Sequence, residues 1–246
     1  MGPGCEKPSE LVKLSAGDLP SKPGGEQHLM KTLLKSTALF CLTLAVLSCS
    51  SEKKIELFNG QDLDNWNIIV DSEDGEPKDL FYVEDGVIHT LGDPFGYIRT
   101  KESYSNYKLH LEWRWTNEPS NSGVLLNCQG KEIIFPHCVE AQLMNGKAGD
   151  FVLMGKGASI TVKDSTYMVT SEERRYLGIP KFEESSEKPA GEWNSYDITS
   201  IDGTIELYVN GVLQNIGSES TLTEGNIALQ SEGAPLQFRN IYLQPL

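Results

Sequence analysis

The chain has 246 residues, 39% of them hydrophobic and 9% aromatic, enough to build an ordinary core. Its formal net charge of −14 argues against nucleic acid and anionic lipid surfaces as partners. It suits a protein that works on neutral ligands.

Residues 30–49 read MKTLLKSTALFCLTLAVLSC, with basic Lys31 and Lys35, an apolar run from Ala38 to Leu47, and Cys49 directly after Val46-Leu47-Ser48. A basic start, a short apolar stretch and small residues before a cut describe an export signal. The final four residues resemble a bacterial lipobox, which implies lipidation of Cys49 and anchoring to the cell envelope, periplasmic or outer-membrane. The alternatives for this run are a buried helix or a true membrane anchor. Residues 1–29 lie upstream of a plausible start at Met30, read as an over-extended start, and receive no function. The expected organisation is therefore a signal peptide at 30–48, a tether at 49–54 and one domain at 55–246. The exported part carries 16 basic and 31 acidic residues.

Of five cysteines, Cys5 and Cys41 precede the cut and Cys49 would carry lipid, leaving Cys128 and Cys138. These two flank a loop, and their spacing fits a disulfide or two half-buried thiols equally well. No CxxC pair or His-x-x-x-His spacing points to zinc. No cofactor is implied. A divalent cation stays open because acidic residues gather between Asp71 and Asp79, although a solvated loop is their plainer reading.

Beyond the tether, helical periodicity is almost absent. Strands are predicted at 81–83, 87–90, 97–100, 107–116, 123–128, 139–144, 193–200, 204–209, 225–230 and 236–243. Turn signals separate them: Glu84-Asp85-Gly86, Asp202-Gly203, Asn210-Gly211 and Ser231-Glu232-Gly233. The segment 204–213 reads as a hairpin about Asn210-Gly211. Many short strands with turn chemistry between them predict an all-β fold of two packed antiparallel sheets. The charged, Gly-containing stretch 147–188 is either a solvated excursion or a rim over a binding site.

Two strands carry the chemistry. In 107–116, Leu109, Leu111, Trp113 and Trp115 share one face and His110, Glu112 and Arg114 the other. In 139–144, Val139, Ala141 and Leu143 point one way, and Glu140 and Gln142 the other. If these strands pair, a carboxylate, a guanidinium, a second carboxylate and an amide line one side of a sheet. The plainer alternative is a solvent-facing side with cross-strand salt bridges. Trp113 and Trp115 are read as core, Trp66 as a cap or a sugar platform, and Trp193, Arg239 and Asn240 as structural.

Several segments, in order, resemble one family: LFNGQDLDNW at 57–66, EWRW at 112–115, NSGVLL at 121–126 and EAQLMNGKAGD at 140–150. EWNSYDI at 192–198, VNG at 209–211, GNIALQSEG at 225–233 and FRNI at 238–241 complete the set. Together they resemble the 3-keto-disaccharide hydrolase-like domain family over about residues 55–246. The resemblance implies a concanavalin-like or laminarinase-like jelly roll. It also implies cleavage of glycosides whose sugar carries a ketone at C3, by net hydrolysis or by elimination and rehydration.

Such chemistry needs a base at C2, positive charge at the C3 oxygen and an acid for the leaving oxygen. On this reading Glu140 is the base, Arg114 stabilises the enolate oxygen or holds the ketone, and Glu112 is the acid. Gln142 and Asn121 read hydroxyls, while Lys147 and Asp150 reach the sugar's edge. His137 is a weaker candidate, as a proton shuttle. A conventional glycosidase using Glu112 with Glu140, or a non-catalytic carbohydrate-binding sandwich, are the competing readings.

Overall fold

Alternation of buried and more exposed residues runs through Tyr107–Trp115, Asn194–Ile201 and Thr204–Val209 of this computed structural model, which describes residues 53–71 and 80–246. These belong to one unit, Glu52–Leu246. The proposed signal peptide, Cys49 and most of the tether lie outside the described residues, as do 72–79 of the acidic stretch.

The strands are β1 (Ile55–Glu56), β2 (Trp66–Val70), β3 (Phe81–Glu84), β4 (Val87–Thr90), β5 (Gly96–Thr100) and β6 (Tyr104–Ser105). They continue as β7 (Tyr107–Trp115), β8 (Gly123–Gln129), β9 (His137–Gln142), β10 (Phe151–Met154), β11 (Ser159–Val162) and β12 (Ser165–Met168). The last six are β13 (Tyr176–Ile179), β14 (Asn194–Ile201), β15 (Thr204–Val209), β16 (Val212–Gly217), β17 (Glu224–Ser231) and β18 (Leu236–Pro245). One sheet, here the back sheet, runs β16-β15-β14-β7-β18-β4-β3, with β1 added beside β18. The other, the front sheet, runs β13-β10-β9-β8-β17-β5-β2, with β6 beside β17. A separate hairpin joins β11 and β12. All strand pairings are antiparallel, which makes the jelly-roll sandwich expected from the sequence.

The order of strands overturns one expectation. β7 lies between β14 and β18 in the back sheet, whereas β9 lies between β8 and β10 in the front sheet. The strands bearing Glu112 and Glu140 do not pair. The stretch 147–188 is also more regular than either reading of it, since it holds four strands, β10 to β13. Its run Phe151-Val152-Leu153-Met154 is buried on both faces, and so shows no alternation.

Between the sheets, Leu109, Leu111, Trp113 and Trp115 of β7 meet Val139 and Ala141 of β9 in one large core. Trp66 is buried in that core, so it caps the sandwich and is no sugar platform. Three tight turns work as their sequences require: Asp85-Gly86, Asp202-Gly203 and Asn210-Gly211 all have positive φ at both residues, the geometry that matches strand twist.

The front sheet carries a second apolar cluster on its outer face, with Tyr97, Leu125, Cys128, Cys138 and Ala228 at its centre. The loop before β9 covers part of it through Phe135, and the Tyr97 hydroxyl donates to the Ile133 carbonyl at 2.8 Å. Cys128 and Cys138 are free, buried thiols here. Burial, and then its neighbour Cys128, push the Cys138 thiol well above its ordinary value.

Candidate active site

Beside that cluster the outer face of the front sheet opens into a hollow of about 420 Å³. Glu140 stands in its floor. Its cross-strand neighbours are Val152 on β10 and Leu125 on β8, both apolar and buried, so its carboxyl has little water around it. Gln142, two residues on and on the same face, faces Gly123 across the ladder. Gly123 has no side chain, and the Glu140 carboxyl leans into the space this leaves. Gln230 of β17 lines the same wall, and Glu232, just past the end of β17, closes it. The opposite wall is apolar, built from Val152, Met154, Phe135 and Tyr176, the last 61% exposed and available to stack on a ring.

Electrostatics separate the two carboxyls. Burial, and then the charge of Glu232, push the Glu140 carboxyl from the usual 4.5 up to about 8. It is 5% exposed and neutral at pH 7 in the free protein. Burial raises Glu232 as well, while a hydrogen bond from the Asn121 side chain pulls it back down. Asn121 bridges to the Glu232 and Gly233 backbone, which fixes this corner.

The amides divide in the same way. The Gln142 Oε1 accepts the N–H groups of Leu143 and Met144, each at 2.8 Å, so its NH₂ end is left for the hollow. Asn121 Oδ1 and Gln230 Oε1 are buried without a partner.

Five of the residues singled out in the sequence line this hollow: Glu140, Gln142, Asn121, Lys147 and Asp150. Lys147 is exposed at the rim. Asp150 is partly committed, because its Oδ1 accepts the Lys181 N–H at 2.9 Å and lies 3.9 Å from Lys181 Nζ.

Three others do not belong to it. Glu112 and Arg114 project from the outer face of the back sheet, the far layer of the sandwich. Glu112 accepts a bond from Arg239 directly across the ladder, and Arg114 donates to Gln237 across the same pair of strands. Both guanidiniums pack on the Trp193 ring, 4.6 Å from Arg114 and 3.9 Å from Arg239. The plainer reading, cross-strand pairing, describes them. The roles of acid and enolate stabiliser therefore cannot fall to them at the Glu140 hollow. His137 shares its strand parity with Val139 and Ala141, and its ring packs against Gly155, outside the hollow. Strand parity rules it out as a sugar contact there.

Sequence reasoning missed Glu232, Gln230, Gly123 and Tyr176. Glu232 was hidden inside the turn Ser231-Glu232-Gly233, where an acidic residue is unremarkable. Gln230 shares the GNIALQSEG segment, and alternation alone places it on the face of Ala228. Among the described residues, no cluster of three His, Cys, Asp or Glu could hold a metal ion.

Comparison with known proteins agrees with this architecture. A protein from Parabacteroides distasonis, provisionally assigned as a glycosyl hydrolase, is 23% identical, with a TM-score of 0.57 over 80% of this chain and 95% of that one. A Bacillus licheniformis beta-glucanase matches with a TM-score of 0.52 at 11% identity, over 80% of this chain and 100% of that one. A carbohydrate-binding module from Bacillus subtilis matches with a TM-score of 0.50 at 10% identity, over 73% and 95%. At these identities the likeness is one of fold, and the fold hosts enzymes and binding modules alike. No curated protein sequence matches the chain. The 3-keto-alpha-glucoside-1,2-lyase-like domain, by contrast, matches residues 53–244. The described domain is thus a glycoside-hydrolase-like jelly roll, and the chain belongs to the 3-keto-alpha-glucoside-1,2-lyase-like domain family.

Proposed function

We propose that the protein cleaves glycosides whose sugar has been oxidised to a ketone at C3, with the ring seated over Glu140. The observation that carries this reading is the pair of carboxyls in one hollow, with Glu140 neutral and held well above its ordinary range. Both carboxyls are raised, Glu140 by the larger amount, and such an inequality divides a pair into an acid and a base. Glu140, still protonated at neutral pH, is the acid, and Glu232, which bears the smaller perturbation, is the base. This reverses the role given to Glu140 from sequence.

In the proposed step the Glu232 carboxylate takes the proton from C2, which the neighbouring ketone has acidified. Electrons pass into a C1–C2 double bond as the C1–oxygen bond breaks, and the leaving oxygen takes the Glu140 proton. Water then adds across the double bond if the net reaction is hydrolysis. Lys147, in place of Arg114, supplies positive charge toward the ketone oxygen. The Gln142 NH₂ end holds a hydroxyl, the Asn121 and Gln230 side chains shape the wall beside it, and Tyr176 backs the ring.

Incubation of purified protein with a 3-keto-glucoside, following aglycone release, tests the reading. Turnover of that substrate with none of the unoxidised glucoside is expected. Equal turnover of both would make it a conventional two-carboxylate glycosidase instead. Sugar binding with no turnover of either would make it a binding module.

For the whole chain we propose export and lipid anchoring to the cell envelope through Cys49, supported by the 30–49 segment. Metabolic labelling with a radioactive fatty acid should mark the wild type and not Cys49→Ser. Label retained in that variant would remove the anchor.

A further inference from the structure

A second hollow, of about 350 Å³, adjoins the first, and the two share Phe135 as a common wall. They follow the same pair of strands. Met154 and Tyr176 line the first, and the next residue along on each strand, Gly155 and Arg175, lines the second. Val152, the cross-strand neighbour of Glu140, is three residues from Gly155, so the second hollow lies about 10 Å along the strand from the catalytic carboxyl. That is the reach of the second unit of a disaccharide whose first ring sits over Glu140.

The lining chemistry differs sharply from the rest of the molecule. The floor is apolar, formed by Ile133, Ile134 and Phe135, with Phe95 stacked behind Phe135 at 5.4 Å. The rim carries Lys156, Arg174 and Arg175 against a single lining carboxylate, Glu172, in a chain of net charge −14. Glu172 is 3.8 Å from Lys156, a loose and exposed pairing. Among the described residues neither guanidinium has an ion-pair partner, and Glu173 beside them does not line the hollow. The Arg175 guanidinium lies 5.3 Å from the Phe135 ring, which places its charge at the boundary between the two hollows. The Ser171 hydroxyl accepts the Arg174 N–H at 3.3 Å and helps to shape the turn that presents both arginines.

We propose that this second hollow is the leaving-group subsite and that it selects a ring bearing an anionic group, a carboxylate or a sulfate ester. The apolar floor takes the ring face, and the two arginine forks take the anion. The proposal rests on the reading of the first hollow as the place where the bond is cut.

The test compares 3-keto-glucosides with 4-carboxyphenyl, 4-sulfooxyphenyl and uncharged 4-carbamoylphenyl leaving groups, for wild type and for Arg174→Gln/Arg175→Gln. Wild type is expected to favour the charged substrates by about tenfold in kcat/KM, a preference that shrinks as salt is added. In the double variant the ratio should fall toward one. Whichever charged group gives the larger ratio identifies the anion. Turnover of all three with no charge preference, or a preference that survives the double variant, overturns the subsite and leaves the first hollow's function standing. Calorimetric binding of a glucosyl-glucuronic acid disaccharide against its uncharged amide supplies a second readout. Loss of all turnover with arginine-dependent binding of the acid would reject the chemistry and keep the subsite; equal binding of acid and amide would reject the subsite. Circular dichroism of the double variant confirms that it is folded, and Lys156→Gln, further out on the rim, should lower the ratio by a smaller factor.

Discussion

A β carbon built on Gly123 would lie 2.2 Å from the Glu140 Oε1, so the absence of a side chain on β8 is what lets the carboxyl lie where it does. Gly123→Ala should push Glu140 out of place. The colliding atoms are the far end of a flexible side chain, so the fold should absorb the change at a cost of about 1 kcal/mol or less. Turnover should fall by roughly tenfold or more, because small displacements of a reacting group are expensive. Steady-state kinetics beside a denaturant melt would separate the two effects. Unaltered kinetics would mean that the position of Glu140 is irrelevant.

Glu140→Gln should abolish turnover and leave a folded protein. It should also stabilise that protein at alkaline pH. The folded-state value of Glu140 is raised, so the native state binds the extra proton between pH 4.5 and about 8 and becomes less stable as pH rises through that window. A glutamine carries no such penalty, and its advantage above pH 8 should be on the order of a few kcal/mol. Melts at pH 5 and pH 8.5 should show a small difference between variant and wild type at the first and a large one at the second. Equal differences at both would show that Glu140 is not perturbed.

The rate should fall as pH rises through about 8, the limb of an acid that must keep its proton. The charge of Glu232 is one of the causes holding that value up, so Glu232→Gln should lower it. Carbon NMR of labelled glutamate side chains reads the change without requiring activity. A rate that climbs to a plateau at pH 8 would return Glu140 to the role of base.

Glu112→Gln and Arg114→Ala sit on the far layer and should leave kcat/KM within about twofold. Each should cost about 0.5–1 kcal/mol, as partly exposed cross-strand and cation–π contacts do. A thousandfold loss of activity in either would mean that the hollow around Glu140 is not the catalytic site.

Much of the sandwich was legible because alternation reports directly which face a side chain takes. The strand Tyr107–Trp115 and the Asn210-Gly211 hairpin appear as read. Which strands lie side by side was not legible. Period-two patterning says nothing about partners, and β7 and β9, so alike in pattern, were joined across a gap that is the whole thickness of the core. The partners of Glu140 were hidden for a related reason. Gly123 and Glu232 come from a strand start and a turn, where glycine and acid are ordinary, and only the register β17-β8-β9 brings them to one spot. The strands β10 and β13 were missed because charge and glycine around them mask a short, doubly buried run.

The chain enters the sandwich through β1, which pairs with β18 on the back sheet, while the hollow opens from the front. Ile55 at the start of the described domain and Leu243 near its end therefore lie side by side, on the layer away from the hollow. Both ends of the described strand order thus close the rear layer, and changes there leave the lining of the hollow, which is drawn from the front sheet and its loops, untouched.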